Sequence, residues 1–516
     1  MSAYTQSVRE GMYELTESAR AELVGSKYYN KDLAPTSLSE RTWNTYHISM
    51  LWVGMAICMP SFMMASGAVG FGLSCWAAVL CVILGNLIIL VPMQLNSHAG
   101  TKYGIPFPVF SRMTFGIKGA HIPSVSRGIT ACGWNMVQSV TGGGALLFMV
   151  KAIVPSFNTL STGAQVCAFL VFLFISGLLT SGGSVVIRIF EAIGSPILIA
   201  MGVALFIWAL VIGSQNDFTL GQILVSEIRV GEQATGSAAL YWFLFALNGN
   251  IGFWATMALN IPDFSRFAKN QKTQFNGQLF GMVPGMAFCA VIGAVYAQTT
   301  LLVYGVAQFN PVDVLQYFPE SPIMRIAAFM VGIFVIIATL TTNIAANIVA
   351  PANGFSNLTP KRISYKTGTW IACLIAVVYY VPFVWAESFA NFMFTFLNVY
   401  GGLLGPLAAI FIADYYIIKK RNIDVMSLFK GSDSRYWYKG GFNVHAMIAW
   451  FFGFIVPTLV ALIPALHDIT VLDWINGSSY LFSFFVALIV YMLIMPKNHP
   501  SFISGEEEDA ITEKIA

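Results

Sequence analysis

Residues 51–67 read LWVGMAICMPSFMMASG, the centre of a long apolar run with Gly54 and Pro60 near its middle. Proline removes a backbone donor and glycine loosens a helix, so such a run can leave backbone groups unpaired. A second run, FALNGNIGFWATMALNIPDF at 245–264, is interrupted in a similar way by Asn248, Gly249, Asn250 and Gly252. At membrane depth, unpaired backbone is tolerated only within protein or around a watery cavity. The two runs lie five helices apart, the spacing expected if two inverted repeats enclose a site between them. Taken alone, a pair of ordinary kinks would read the same way.

The surrounding sequence makes the bilayer the right solvent. Of 516 residues, 57% are hydrophobic and only 10% charged, too few to cover the surface of a soluble protein of this length. Apolar runs of the ~18 residues needed to span a bilayer as helix recur about twelve times. They fall near 44–68, 72–97, 122–150, 163–182, 189–212, 238–262, 279–303, 324–350, 368–384, 388–416, 443–465 and 473–495. With the N-terminus inside, 24 of the 27 Lys and Arg residues fall on inside segments; Lys151, Arg229 and Arg325 are the exceptions. That asymmetry predicts a multi-pass protein of the cell membrane, plasma or bacterial inner, with both termini cytoplasmic. The net charge of +3 then reflects topology and implies no nucleic-acid partner.

The organisation expected is a polar tail over 1–43, a first repeat over 44–212, a second over 238–416, two further helices over 443–495 and an acidic tail over 496–516. The N-terminal tail lacks the charged-then-apolar design of a cleaved signal peptide. All seven cysteines fall within predicted helices, and no Cys/His spacing points to a disulfide framework or a zinc site.

Polar chemistry concentrates in two more spans. The third contains ITACGWNMVQSVTGGG, where Trp134 and Gln138, four apart, share one helical face. Packing alone would explain Gly142, Gly143 and Gly144 as sites of close helix approach. It explains an indole stacked beside an amide less well. The eighth contains IIATLTTNIAANIVA at 336–350, with Thr341, Thr342, Asn343 and Asn347 inside seven residues. One such group serves as interhelical glue; four together point to a lined cavity.

The span centres lack Asp, Glu, Lys, Arg and His, and Glu191, Asp263 and Asp414 lie near helix ends. A charged substrate would need a fixed countercharge or a helix terminus. Aromatic faces with neutral amides instead suit a small, planar, uncharged heterocycle bearing N–H and C=O groups. No repeated selectivity ring indicates a channel, and no catalytic pair indicates an intramembrane enzyme; a transporter-like sensor stays open.

On these residues the chain resembles the nucleobase–cation symporter family, which includes bacterial hydantoin, allantoin and cytosine permeases and a plant plastid nucleobase transporter. The resemblance runs from about Lys31 to Lys439, through NKDLAPTSLSERTW, LNSHAGTKYGIPFPVFSRMTFGIKGAHIPSVSRG, CGWNMVQ, FWATMALNIPDFSRFAKNQ, TTNIAANIVAPAN and GGLLGPLAAIFIADYYIIKKR. It implies an all-α fold of the leucine-transporter type, five-plus-five inverted repeats with two additional helices. By position it implies that Trp134 and Trp254 sandwich the substrate ring, that Gln138 and Asn347 bond its edges, and that the Phe253 carbonyl and Asn343 face the same cavity. Carbonyls of Gly54, Ile57 and Ala338 with hydroxyls of Thr341 and Thr342 would hold a coupling sodium ion, with no organic cofactor. Cys58 stands where the hydantoin transporter has a glutamine near its substrate. The sixth- and eighth-span segments look nearest to the plant transporter, which tilts the expected substrate toward uracil or another pyrimidine. Allantoin or hydantoin, and protons in place of sodium, are the alternatives.

Overall fold

The computed structural model of the chain describes residues 4–9, 11–29, 31–182, 184–225, 236–318, 321–358, 362–386 and 388–496. Eight of its helices are each long and apolar enough to cross a membrane, and two bent helix pairs bring the number to ten. Ser184–Gln215 occupies the place of the fifth expected span, and Gly236–Phe253 with Ala255–Asn260 that of the sixth. The acidic C-terminal tail and Arg229 lie outside the described residues.

The first span breaks where its sequence indicates. Helix Thr45–Ala56 begins on Asn44, whose side chain accepts from His47 N at 3.0 Å. It ends at Ile57, and after Cys58 the helix Met59–Gly70 departs at 56°. Pro60 sits in the first turn of that second helix, where its missing N–H leaves no bond unmade. Cys58 is therefore extended at the break rather than helical.

The sixth span breaks later than its sequence indicates. Asn248, Gly249, Asn250 and Gly252 are all helical, and the chain leaves the helix at Trp254, with φ −102° and ψ 7°. The glycines serve packing. A Cβ on Gly249 would lie 2.9 Å from the Phe394 ring, and one on Gly252 would lie 3.1 Å from the Leu397 carbonyl oxygen. Asn248 is likewise committed, donating to Asn398 and Ser479 and accepting from Tyr480 N.

Both halves of the first span lie directly on the seventh, Gln271–Tyr304. A Cβ on Gly281 would come within 2.6 Å of Ser49 O, and one on Gly293 within 2.2 Å of Phe62 O. Such close backbone approach, built on small residues, is how helices associate where lipid removes the hydrophobic drive. In the third span, His121–Ile153, Gly142 and Gly143 meet Phe172 and Ala168 of the fourth as expected, whereas a Cβ on Gly144 would meet nothing within 4 Å.

The eighth span begins as helix Pro322–Thr342, widens to a π-helical turn over Asn343–Ile348 and continues as Val349–Leu358. The twelfth expected run holds a 93° bend and is long enough for a span only as the pair Thr470–Gly477 and Ser479–Ile494.

The face carrying most of the basic residues is tied together by the N-terminal segment, which folds rather than trailing as a tail. It forms an antiparallel hairpin, Tyr4–Arg9 with Met12–Leu15, and a helix, Glu17–Val24. The buried Arg41 donates to carbonyls of Tyr13, Thr36 and Thr101. Trp43 exchanges backbone bonds with Phe267 and Lys269, joining the start of the first span to the end of the sixth. On the opposite face, the exceptional Arg325 donates to the carbonyls of Ala152 and Ile153 and so completes the C-terminus of the third-span helix.

Candidate functional site

One cavity lies at the two breaks. Met55, Cys58 and Pro60 line it from the first span, and Trp134 and Gln138 from the third. Phe253, Trp254, Thr256 and Met257 come from the sixth, and Thr342, Ala346 and Asn347 from the eighth. Its walls are aromatic. Trp134 and Trp254 each meet Phe253 edge to face, with centroids 4.9 and 5.1 Å away, and Trp52 backs Trp254 at 5.2 Å. The Trp134 Nε1–H is spent on Tyr400 OH at 3.1 Å, which fixes the indole while leaving its π-face to the cavity.

The amides are ordered by a chain of bonds. Asn343 donates to Asn135 Oδ1 at 2.7 Å, and Asn347 donates to Asn343 Oδ1 at 3.2 Å. That assignment commits the Asn347 NH2 and leaves its carbonyl oxygen as an acceptor. Gln138 Oε1 and Trp254 Nε1 are buried without a hydrogen-bond partner. Buried polar atoms are almost always paired, and Gln138, whose Oε1 is not, is one of the residues lining this cavity.

The break in the first span frees backbone oxygen. Cys58 N turns to Ala56 O and Ser61 N to Cys58 O. The carbonyls of Gly54 and Ile57 thus lose the partners four residues ahead that a continuous helix would supply. In the eighth span the hydroxyls of Thr341 and Thr342 both donate to Ala338 O, at 2.6 and 3.4 Å. All five are neutral oxygen atoms.

Of the residues expected at the site, Cys58, Trp134, Gln138, Phe253, Trp254, Thr342 and Asn347 line the cavity together. Asn343 does not: it is fully buried behind Asn347 and orients it. Gly54, Ile57, Ala338 and Thr341 also lie off the lining. Met55, Pro60, Thr256, Met257 and Ala346 went unrecognised, although Thr256 and Met257 follow Trp254 within the expected sixth-span segment. Asn135 and Tyr400 act from behind, and only the three-dimensional packing reveals them.

Broken membrane helices around a cavity with aromatic walls and a few amides are the frame of a polytopic membrane transporter. The chain belongs to the family of permeases for cytosine/purines, uracil, thiamine and allantoin, whose model matches residues 35–486. It is 35% identical to a purine-uracil permease of Arabidopsis thaliana, over 91% of this chain and 78% of that one. With an allantoin permease of Bacillus subtilis it shares 33% identity, over 89% and 93% of the two chains. A solved nucleobase-cation-symport-1 family transporter, in a closed conformation with bromovinylhydantoin bound, superposes with a TM-score of 0.72. That match covers 94% of this chain and all of the other at 25% identity, and the fold is of the leucine-transporter type.

Proposed function

We propose that the protein is a cation-coupled symporter that takes up a neutral planar nucleobase, uracil or another pyrimidine. The observation that carries this reading is the unpartnered Gln138 Oε1 in a cavity walled by Trp134 and Trp254. A base such as uracil offers N–H groups to Gln138 and Asn347 and a flat face to the indoles. Leaving such groups unpaired costs about 1–3 kcal/mol each, so the site would reject analogues lacking one of them. Likeness to the purine-uracil permease supports the substrate class. Allantoin and hydantoin carry the same imide edge, and the B. subtilis likeness keeps allantoin as the second reading.

Sodium is the proposed coupling ion, held between the freed carbonyls of the first span and the threonines of the eighth. Asp263 and Asp414 are already engaged, by Phe107 N and by Lys419 and Tyr491, which weighs against the proton alternative. The repeats are proposed over 44–212 and 238–416, with the termini cytoplasmic in the cell membrane and uptake toward the basic face.

The test is uptake of labelled uracil into proteoliposomes, driven separately by a sodium gradient and by a pH gradient. Uptake under sodium alone is expected. Uptake under the pH gradient alone would transfer coupling to protons, and none with uracil but uptake with allantoin would replace the substrate.

A further inference from the structure

A second cavity, of about 210 Å³, opens on the face opposite the basic one, between the outer ends of the third, fourth, ninth and tenth spans and the turn at Pro311–Tyr317. Gly144 sits on its wall, at the position where a Cβ would meet nothing. Two aromatic groups bound it: Phe169 stacked on Tyr380 with centroids 4.1 Å apart, and Phe383 against Phe389 at 5.4 Å. Asp313 reaches into it, and its carboxylate has no hydrogen-bond or ion-pair partner among the described residues. A carboxylate with aromatic neighbours and no structural partner is costly to keep, and it serves as a strong acceptor for a ligand N–H.

The two cavities share one helix. The third span carries Trp134 and Gln138 at one and Gly144 at the other. Packed rings fill the space between them, from Phe389 to Phe383 at 5.4 Å, Phe392 at 5.4 Å, Phe396 at 6.2 Å and Trp134 at 5.9 Å.

We propose that the outer cavity is a holding site for a neutral planar heterocycle, which donates an N–H to Asp313 and rests on the surrounding rings before entering the central site. The substrate class rests on the function proposed above. Occupancy there is weak and exchanges rapidly, because one charge-assisted bond and partial stacking replace the two indoles and the amides of the central site.

The experiment uses the full chain in detergent or nanodiscs with 5-fluorouracil as probe, read by 19F saturation transfer for weak binding and by direct titration for tight binding. In a Trp134→Ala/Gln138→Ala variant, tight binding disappears and the weak signal persists. Adding Asp313→Ala cuts that signal at least threefold. Adding Gly144→Leu instead, which fills the cavity with a better helix former, cuts it by a similar factor. Either single variant keeps the tight affinity, which reports that it is folded. A weak signal indifferent to both Asp313→Ala and Gly144→Leu, or absent once the central pair is removed, overturns the outer site. Undiminished tight binding after removal of the central pair overturns the central assignment instead.

Discussion

The two broken spans look alike in sequence but do different work. In the first, the chain is extended across Ile57 and Cys58, turns by 56°, and exposes main-chain oxygen. In the sixth, a single residue leaves the helix, and that residue is Trp254, whose side chain becomes a cavity wall. The first break supplies backbone, suited to an ion; the sixth supplies an indole, suited to a ring. Pseudo-symmetric halves thus need not divide the chemistry evenly. In the eighth span the Thr341 and Thr342 hydroxyls donate to Ala338 O, and Thr342 and Asn347 line the cavity.

Removing an indole should give the largest effect. Stacking on an aromatic is worth about 1–3 kcal/mol per base, so Trp254→Ala or Trp134→Ala is expected to weaken uracil binding by roughly tenfold or more. Calorimetry on variants of wild-type thermal stability checks this. Unchanged affinity in both would leave the sixth break with no part in the substrate site.

Gln138→Ala comes next, with an expected loss of about tenfold for the same energetic range. Its sharper signature is lost discrimination: the variant should bind uracil and its N-methylated analogues with similar affinity. A variant that weakens binding but keeps the wild-type preference would move specificity elsewhere.

At the first break the expected effect is on coupling. Sodium and uracil should each raise the other's affinity by one common factor. Thr341→Ala should reduce that factor while leaving uracil affinity without sodium unaltered; Thr342→Ala, on the cavity lining, should lower both. Titrations at fixed pH and ionic strength give both quantities; variants that keep the full factor would clear the eighth-span hydroxyls of ion binding.

The smallest effect is expected from Asn343→Ala. It leaves the cavity lining intact but releases the Asn347 amide, so a loss of a few-fold, smaller than that of Asn347→Ala, is the outcome to measure. A larger loss than Asn347→Ala would put Asn343 in contact with substrate after all.

How much of this was legible in the sequence follows from what each signal depends on. Membrane spans depend on local composition, and among the described residues ten of the twelve runs have the length and apolarity of a span, two of them as bent pairs. The Trp134–Gln138 face depends only on helical period, and both residues reach the cavity. The sixth break was misplaced because Asn and Gly mark either an interruption or a close contact, and Phe394 and Leu397, about 145 residues away in sequence, decide for contact. Asn343 turned away because Asn135 lies across from it, a pairing no spacing encodes. Gly142, Gly143 and Gly144 read identically, yet the first two receive a helix and the third faces space. The folded N-terminal segment was missed because polar residues carry little periodicity, and its order comes from Arg41 binding distant carbonyls.

The central claim is that Gln138 and Asn347 accept the N–H groups of a ring held between two indoles. Its most direct test is a calorimetric comparison of uracil with 3-methyluracil on the wild-type protein in saturating sodium. The account predicts saturable uracil binding and a loss of at least tenfold for the methylated ring, which can no longer donate from that nitrogen. Equal affinity for the two rings would contradict it.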